Sequence, residues 1–426
     1  MREVLIGLLV LAATTVSGGA LAEQSSNPLA GKDDRSATMD AGELVNLGHL
    51  YVEAMDHDRA RELYDRALDE EAGFGEARYG LAKIQMAKGK LEKSKRACRV
   101  LERRNRDGSV GQVCSGWVWL TFDRSARAID EFEKVIEKGD VARGKTGMGE
   151  AYRRRVDNQT AIAAYREAIS AGAGHVARIG LGLALEASGD HQGAVAALRD
   201  AVETEPASCR AHYELGRVLG EGPEAIEQLG IALAIRPDWI EARHALGEAY
   251  LAGGDFAAAE QAFRAALEGD QERGTAYLGL GEALYGQNKP EEAREPLEKA
   301  IEEVPNLVDA YLLLADIEYA SGDSDAALEA LDKAKSVAPG VVKVYLHTGE
   351  TYFRLGRYTS ARSHLKQAIS MKPDLSLAHV ILGDIACERR LYDLGQQHYR
   401  DALEGDLQGV TRADIEKRRS VCKPSH

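Results

Sequence analysis

Aromatic residues make up only 6% of this 426-residue chain, with three Trp and six Phe. Large rings therefore cannot fill most of the interior, and small residues must do so. Cations are also short, 54 Lys and Arg against 68 Asp and Glu, for a formal net charge of −14. That balance excludes the basic face that nucleic acid requires and a surface made for anionic lipid. Metal and catalytic motifs are missing as well. The 11 histidines are scattered, and neither H-E-x-x-H nor a paired Cys-x-x-Cys is present, so no zinc site is expected. There is no G-x-S-x-G elbow. The reading is of a non-enzyme with no cofactor. Hydrophobic content of 44% and charged content of 29% fit a folded chain.

The N-terminus reads as a targeting segment. Arg2 precedes an apolar run from Val4 to Val16, and Ala20-Leu21-Ala22 stands before Glu23. This is a short h-region with an A-x-A cleavage site, expected as a signal peptide over 1–22. The run is too short to span a bilayer, and no later segment is long enough, so no transmembrane segment is expected in the mature chain. Residues 23–40 are polar and read as a flexible leader. An exported, periplasmic bacterial protein is the expected localisation.

What is abundant is a repeated phrase. From Ile240, Leu246 and Gly247 occupy positions 7 and 8 of a 34-residue frame, Tyr250 position 11, Ala259 position 20, Phe263 position 24 and Ala266 position 27. Frames from Gly274, Val308, Val342 and Ser376 repeat the pattern, for example as Gly281, Ala293, Leu297 and Ala300. Earlier frames begin at Ala41, Gly75, Ser109, Ala142 and His175, the one from Gly75 being poor because Ser94 and Cys98 replace Ala and the aromatic.

The spacing resembles the tetratricopeptide repeat (TPR), a helix-turn-helix unit of about 34 residues. The resemblance implies an all-α fold: a right-handed superhelical solenoid of about eleven repeats. Small residues at positions 8, 20 and 27 suit close helix approach. Gly at position 15, as in Gly89 and Gly254, suits the turn. Units 1–5 would cover 41–208 and units 7–11 would cover 240–409. Unit 6, over 209–239, is short by three residues between Gly216 and Ala225 and is expected as a seam. A capping helix and tail would fill 410–426, with Thr411 as N-cap.

Two local features invite chemistry. "GDVARGKT" at 139–146 matches the phosphate-loop pattern. Its preceding residues are charged and helix-periodic, so a repeat junction is the expected reading. Five cysteines remain. Cys98 and Cys114 fall on neighbouring helices in the implied architecture, either as a disulfide or as two buried thiols. Cys387 with Cys422 is a weaker pairing, and Cys209 is left over.

The resemblance also implies a concave groove lined by positions 2, 5, 9 and 12. Position 9 of the last five units reads Glu248, Glu282, Asp316, Glu350 and Asp384. Position 12 includes Tyr285, Tyr319 and Phe353, and position 5 includes Leu278, Leu312 and Leu346. Such ladders suit an extended protein or peptide carrying Lys or Arg between hydrophobic anchors. Arginines from 143 to 243 would make the middle of the groove basic. The expected function is an exported scaffold or adaptor for assembly of an envelope complex. A passive structural spacer is the alternative.

Overall fold

The computed structural model describes residues 27–29, 32, 36–104, 108–269 and 273–423. The expected signal peptide lies outside them. Two compact bodies, Met1–Ala262 and Phe263–His426, make up the chain. Apart from a short 3-10 turn at Ser36–Thr38, the named elements are all α-helices.

In the first body these are α1 (Ala41–Glu53), α2 (His57–Glu70), α3 (Gly75–Ala87), α4 (Leu91–Arg104), α5 (Val110–Thr121), α6 (Ser125–Glu137), α7 (Val141–Arg154), α8 (Asn158–Ser170), α9 (His175–Ala187), α10 (His191–Thr204), α11 (Cys209–Leu219), α12 (Gly222–Ile235) and α13 (Ile240–Ala252). The boundary falls within α14 (Phe256–Ala266). The second body continues with α15 (Arg273–Gly286), α16 (Pro290–Glu303), α17 (Val308–Ser321), α18 (Ser324–Val337), α19 (Val342–Arg354), α20 (Tyr358–Met371), α21 (Ser376–Glu388), α22 (Tyr392–Glu404) and α23 (Arg412–Val421). Helices α1 to α22 pair as helix-turn-helix units, so the fold is the expected all-α repeat solenoid.

Outside the shortened unit 6, the turn inside each unit follows one rule. Position 15 is left-handed whether or not it is glycine. Gly89, Gly189, Gly254, Gly322 and Gly356 have positive φ, and so do Met55, Asp123, Val156, Asn288 and Arg390. Glycine takes this conformation without steric cost, whereas Val156 carries a branched side chain there at φ 61°. An aspartate often follows and caps the second helix. Asp56, Asp157, Asp190 and Asp323 accept from the backbone N–H three residues on, a cap worth about 1 kcal/mol.

Small residues sit where the packing demands them. Ala60, Ala161, Ala194, Ala293 and Ala361 are fully buried at position 20. A Cβ added to Gly48 would lie 2.6 Å from the Tyr64 ring, and one on Gly281 would lie 2.6 Å from Leu297. The glycine of the first helix thus receives the large position-24 side chain of the second, which is how few aromatics fill a long core.

The short unit 6 is absorbed locally. Its first helix, α11, has 11 residues where the others have 12 to 14, ending at Gly220 with φ 72°. Gly216 still abuts Leu229, and Ala225 and Ala232 are fully buried. The expected seam at 209–239 therefore does not coincide with the division between the bodies, which lies at 262/263. Part of the segment expected as a flexible leader is also packed. Leu29 is buried in one cluster with Leu44, Cys209 and Ile235, and Lys32 pairs with Glu205 at 2.5 Å.

Candidate functional site

The first body curls until its first repeat meets its fifth and sixth. Helix α1 contacts α11. The meeting is polar as well as apolar: Glu53 lies 3.0 Å from His175 Nε2 and accepts from Ser208 Oγ at 2.8 Å. Burial opposes charge on the Glu53 carboxyl, but these hydrogen bonds outweigh it and leave the pKa below its ordinary value. Closure converts the inner faces of the first helices into a cavity of about 770 Å³.

The cavity is lined from one helix face per repeat. Asn46, His49 and Glu53 come from α1, Tyr79, Lys83 and Met86 from α3, and Val113 and Trp117 from α5. Arg143 reaches in from α7 and Arg210 from α11. Spacings of three and four put these residues on one side of each helix. Position 9 here reads His49, Lys83 and Trp117, unlike the acidic residues of the later units.

The charges divide into committed and uncommitted. Arg143 bonds Glu76 and Asp140, and Asp140 also accepts from Ser109 at 2.6 Å. Glu53 is held as described. Among the described residues no carboxylate pairs with Lys83, whose ammonium stands 5.9 Å from the Tyr79 ring centre. Burial pushes the Lys83 pKa down, with Glu53 and Glu76 acting against it at longer range. Among the described residues no carboxylate pairs with exposed Arg210 either. The cavity therefore offers Lys83 and Arg210 as cations with no counter-ion among the described residues, in a chain of net charge −14.

The expected basic middle of the groove is otherwise neutralised. Arg153 and Arg154 both bind Glu150, Arg178 binds Asp200, and Arg217 binds Glu214. Arg243 donates to the Pro237 carbonyl. Of the arginines expected there, only Arg143 and Arg210 line the cavity; the partners lie three or four residues away for Arg153, Arg154 and Arg217, but across helices for Arg143 and Arg178.

The acidic positions of the later units are not one uniform ladder. Glu248, in the first body, is exposed and lies 3.6 Å from His244. In the second body Glu350 pairs with Arg354 at 2.7 Å, and the same Arg354 comes within 3.9 Å of Asp316. Asp384 accepts from Tyr399 at 2.7 Å and pairs with Arg418 of α23. The Tyr399 bond has a repeat logic. Where position 24 is Tyr, its hydroxyl reaches position 9 of the same unit, as in Tyr64 with His49 and Tyr165 with Glu150. A tyrosine at position 24 was the available signal that Asp384 serves its own unit.

The aromatic and aliphatic residues separate too. Tyr285 is 39% exposed, while Tyr319, Phe353, Leu278 and Leu346 are half-buried. Leu312 is buried at 2% and cannot serve as an accessible anchor, because α17 packs it into the core. Phe353, Glu350, Asp384 and Arg418 line a smaller hollow of about 220 Å³ beneath α23.

The structure joins Cys98 to Cys114 and Cys387 to Cys422, with Cα atoms 5.4 and 5.5 Å apart. Cys209 is free and buried, its thiol pushed up to about 12 by burial, which makes it inert at neutral pH. The segment 139–146 follows helix α6, not a strand. Asp140 caps α7, Lys145 pairs with Glu167, and Thr146 bonds the Ala142 carbonyl. It is a repeat junction.

Three tetratricopeptide repeat family models match the sequence: one at 179–238 and 244–308, another at 51–112 and 284–345, a third at 342–375. No curated protein matches. Among solved structures, yeast Tom70 is 14% identical, with 92% of this chain and 95% of that chain covered and a TM-score of 0.48. A tetratricopeptide repeat protein from Parabacteroides merdae ATCC 43184 is 18% identical over 58% and 98%, with a TM-score of 0.49. PilW, a type IV pilus biogenesis factor, is 21% identical over 49% and 98%, with a TM-score of 0.44. At this similarity no partner or activity transfers. Among the described residues no helix is long and apolar enough to cross a membrane.

Proposed function

Because this chain belongs to the tetratricopeptide repeat family, we propose that it is an exported scaffold that holds a protein or peptide partner in the cavity of its first body. The uncommitted Lys83 carries this reading. Lys83 is half-buried, and an ammonium partly withdrawn from water without a counter-ion carries a cost that a carboxylate brought by a partner would relieve. Tyr79, Trp117, Val113 and Met86 offer apolar surface around it. An extended segment with hydrophobic side chains and an acidic group fits this lining. We assign the protein no catalytic role. The signal-like segment at 1–22 supports export, and assembly of an envelope complex is part of the same reading.

The acidic residues of the second body offer a second arm, for a segment bearing Lys or Arg. Glu282, Asp316 and Glu350 with Tyr285 and Tyr319 would meet it. Arg354 already answers two of those carboxylates, so this arm ranks below the cavity.

Photo-crosslinking from Tyr79 and from Tyr319, with peptide-library panning on purified protein, separates the two. The expected result is that acidic, hydrophobic peptides crosslink at Tyr79 and are lost with Lys83→Glu. Retention of all binding in Lys83→Glu, with loss in Glu282→Lys/Asp316→Lys/Glu350→Lys, would move the site to the second body.

A further inference from the structure

We propose that His379, His398 and Asp401, on the paired helices of the last repeat, form a binding site for a borderline divalent cation of the Zn²⁺ class. One ligand atom from each lies within 4.8 Å of the others. His398 and Asp401 stand three residues apart on one face of α22, and His379 faces them from α21, its ring centre 5.8 Å from that of His398.

The tautomer of His379 is fixed by the repeat. Position 4 of a unit donates to the carbonyl of the proline that ends the preceding unit. Tyr311 and Tyr345 do so to Pro305 and Pro339 through their hydroxyls. At the same position His379 Nε2 lies 3.2 Å from the Pro373 carbonyl. A carbonyl only accepts, so Nε2 carries the proton, and in the neutral ring Nδ1 keeps its lone pair. That Nδ1 is buried with no hydrogen-bond partner, as is Nδ1 of His398. Asp401 Oδ2 is 3.9 Å from His379 Nδ1, too far for a hydrogen bond.

Unit 6 provides the contrast. There His212 occupies position 4 and meets the Pro206 carbonyl through Nε2 at 3.0 Å. Its Nδ1 is satisfied by Gln228 at 2.6 Å, from the position that His398 fills in the last unit. Replacing the amide by a second imidazole leaves two orphaned nitrogens and a carboxylate beside them. A backbone carbonyl orienting a histidine through its other nitrogen is the usual support of a metal ligand. Imidazole and carboxylate donors suit Zn²⁺, with bond lengths of about 2.0–2.2 Å and water in the fourth position. The bound ion would tie the two helices of the last repeat together.

The test uses full-length, untagged, chelator-stripped protein with both disulfides intact. Co²⁺ uptake is followed by absorption and Zn²⁺ uptake by calorimetry. The expected result is one ion per chain with micromolar or tighter affinity, and a melting temperature that rises with Zn²⁺ concentration. His398→Ala should abolish uptake. Asp401→Asn, at a partly exposed site, should fold and weaken binding by more than the roughly 10–100-fold that loss of a supporting residue costs. His364→Ala, in the preceding repeat, should bind like wild type. Absence of stoichiometric binding by the wild type, or binding that survives both His398→Ala and Asp401→Asn, overturns the site.

Discussion

The two bodies are written in the same repeat, but they finish differently. The first closes on itself: α1 meets α11 through Glu53, His175 and Ser208, and a cavity forms inside. In the second, the main contacts join only helices one or two apart, and the stack ends under α23, which buries Ile415. Packing within a repeat is common to both, so it cannot be what separates them. Closure depends on a few groups far apart in the chain, and capping depends on one added helix. In repeat proteins each unit ordinarily answers only to its neighbours, and the first body adds a contact that skips several of them.

The largest expected effect comes from removing the staples. Cys387 and Cys422 are 35 residues apart and Cys98 and Cys114 are 16 apart, so loss of each should cost about 3–4 kcal/mol by loop entropy. Cys387→Ser/Cys422→Ser should free α23, read as fast hydrogen exchange over 412–421 with the first body unchanged. Equal protection of α23 in that variant would show that packing of Ile415 alone holds the cap.

Overpacking tests what the bodies share. Gly48→Leu and Gly281→Leu should each cost about 1–3 kcal/mol or somewhat more, because a side chain would enter the Tyr64 ring or Leu297. Comparable losses of thermal stability in the two variants would confirm one packing rule. A melt like wild type for either would remove that glycine from the close approach.

Closure is the next smaller effect. Glu53→Gln should cost about 2 kcal/mol, the scale of a hydrogen bond to a charged group, and should expose α1 and α11 to limited proteolysis. The pH dependence has a definite sign. The folded pKa of Glu53 is depressed below 4.5, so its contribution is full above that value and is lost as pH falls through the lower folded value. Proteolysis of wild type should therefore accelerate in acid while Glu53→Gln stays flat. Parallel acid curves for the two would assign closure to the apolar cluster around Leu29.

The smallest effect is a gain. Val156→Gly relieves a branched residue at φ 61° that is 79% exposed. The left-handed penalty of about 1–2 kcal/mol exceeds the entropic cost of glycine of about 0.5–1 kcal/mol, so stability should rise by about 0.5–1 kcal/mol in a denaturant melt. Gly254→Val, the reverse change at the same repeat position, should lose a similar amount.

The repeat made the fold legible. Gly247, Ala259 and Phe263 at fixed spacing imply helix pairs, because 3.6-residue periodicity and steric size leave few other arrangements. The turn rule was legible only in part: Gly89 and Gly254 announce a left-handed residue, whereas Val156 and Arg390 adopt it because the flanking helices impose it. The candidate site was harder to see. An acidic position 9 looks the same taken alone whether it faces solvent, as Glu248 does, or bonds its own unit, as Asp384 does; only the residue at position 24, Phe263 or Tyr399, separates the two.

Sequence by itself determined the repeat, its helix pairs, the small residues at their crossings and the proximity of Cys98 to Cys114, since all of these rest on local spacing. Tertiary structure alone decided that the first body closes around Lys83, that Arg143, Arg153, Arg178 and Arg217 are already paired while Arg210 is not, and that His379 stands opposite His398 with neither Nδ1 satisfied. Those outcomes depend on residues as far as 173 positions apart and on side-chain partners across helix faces. The small rotation from each repeat to the next accumulates into closure, and no single repeat's sequence records the sum.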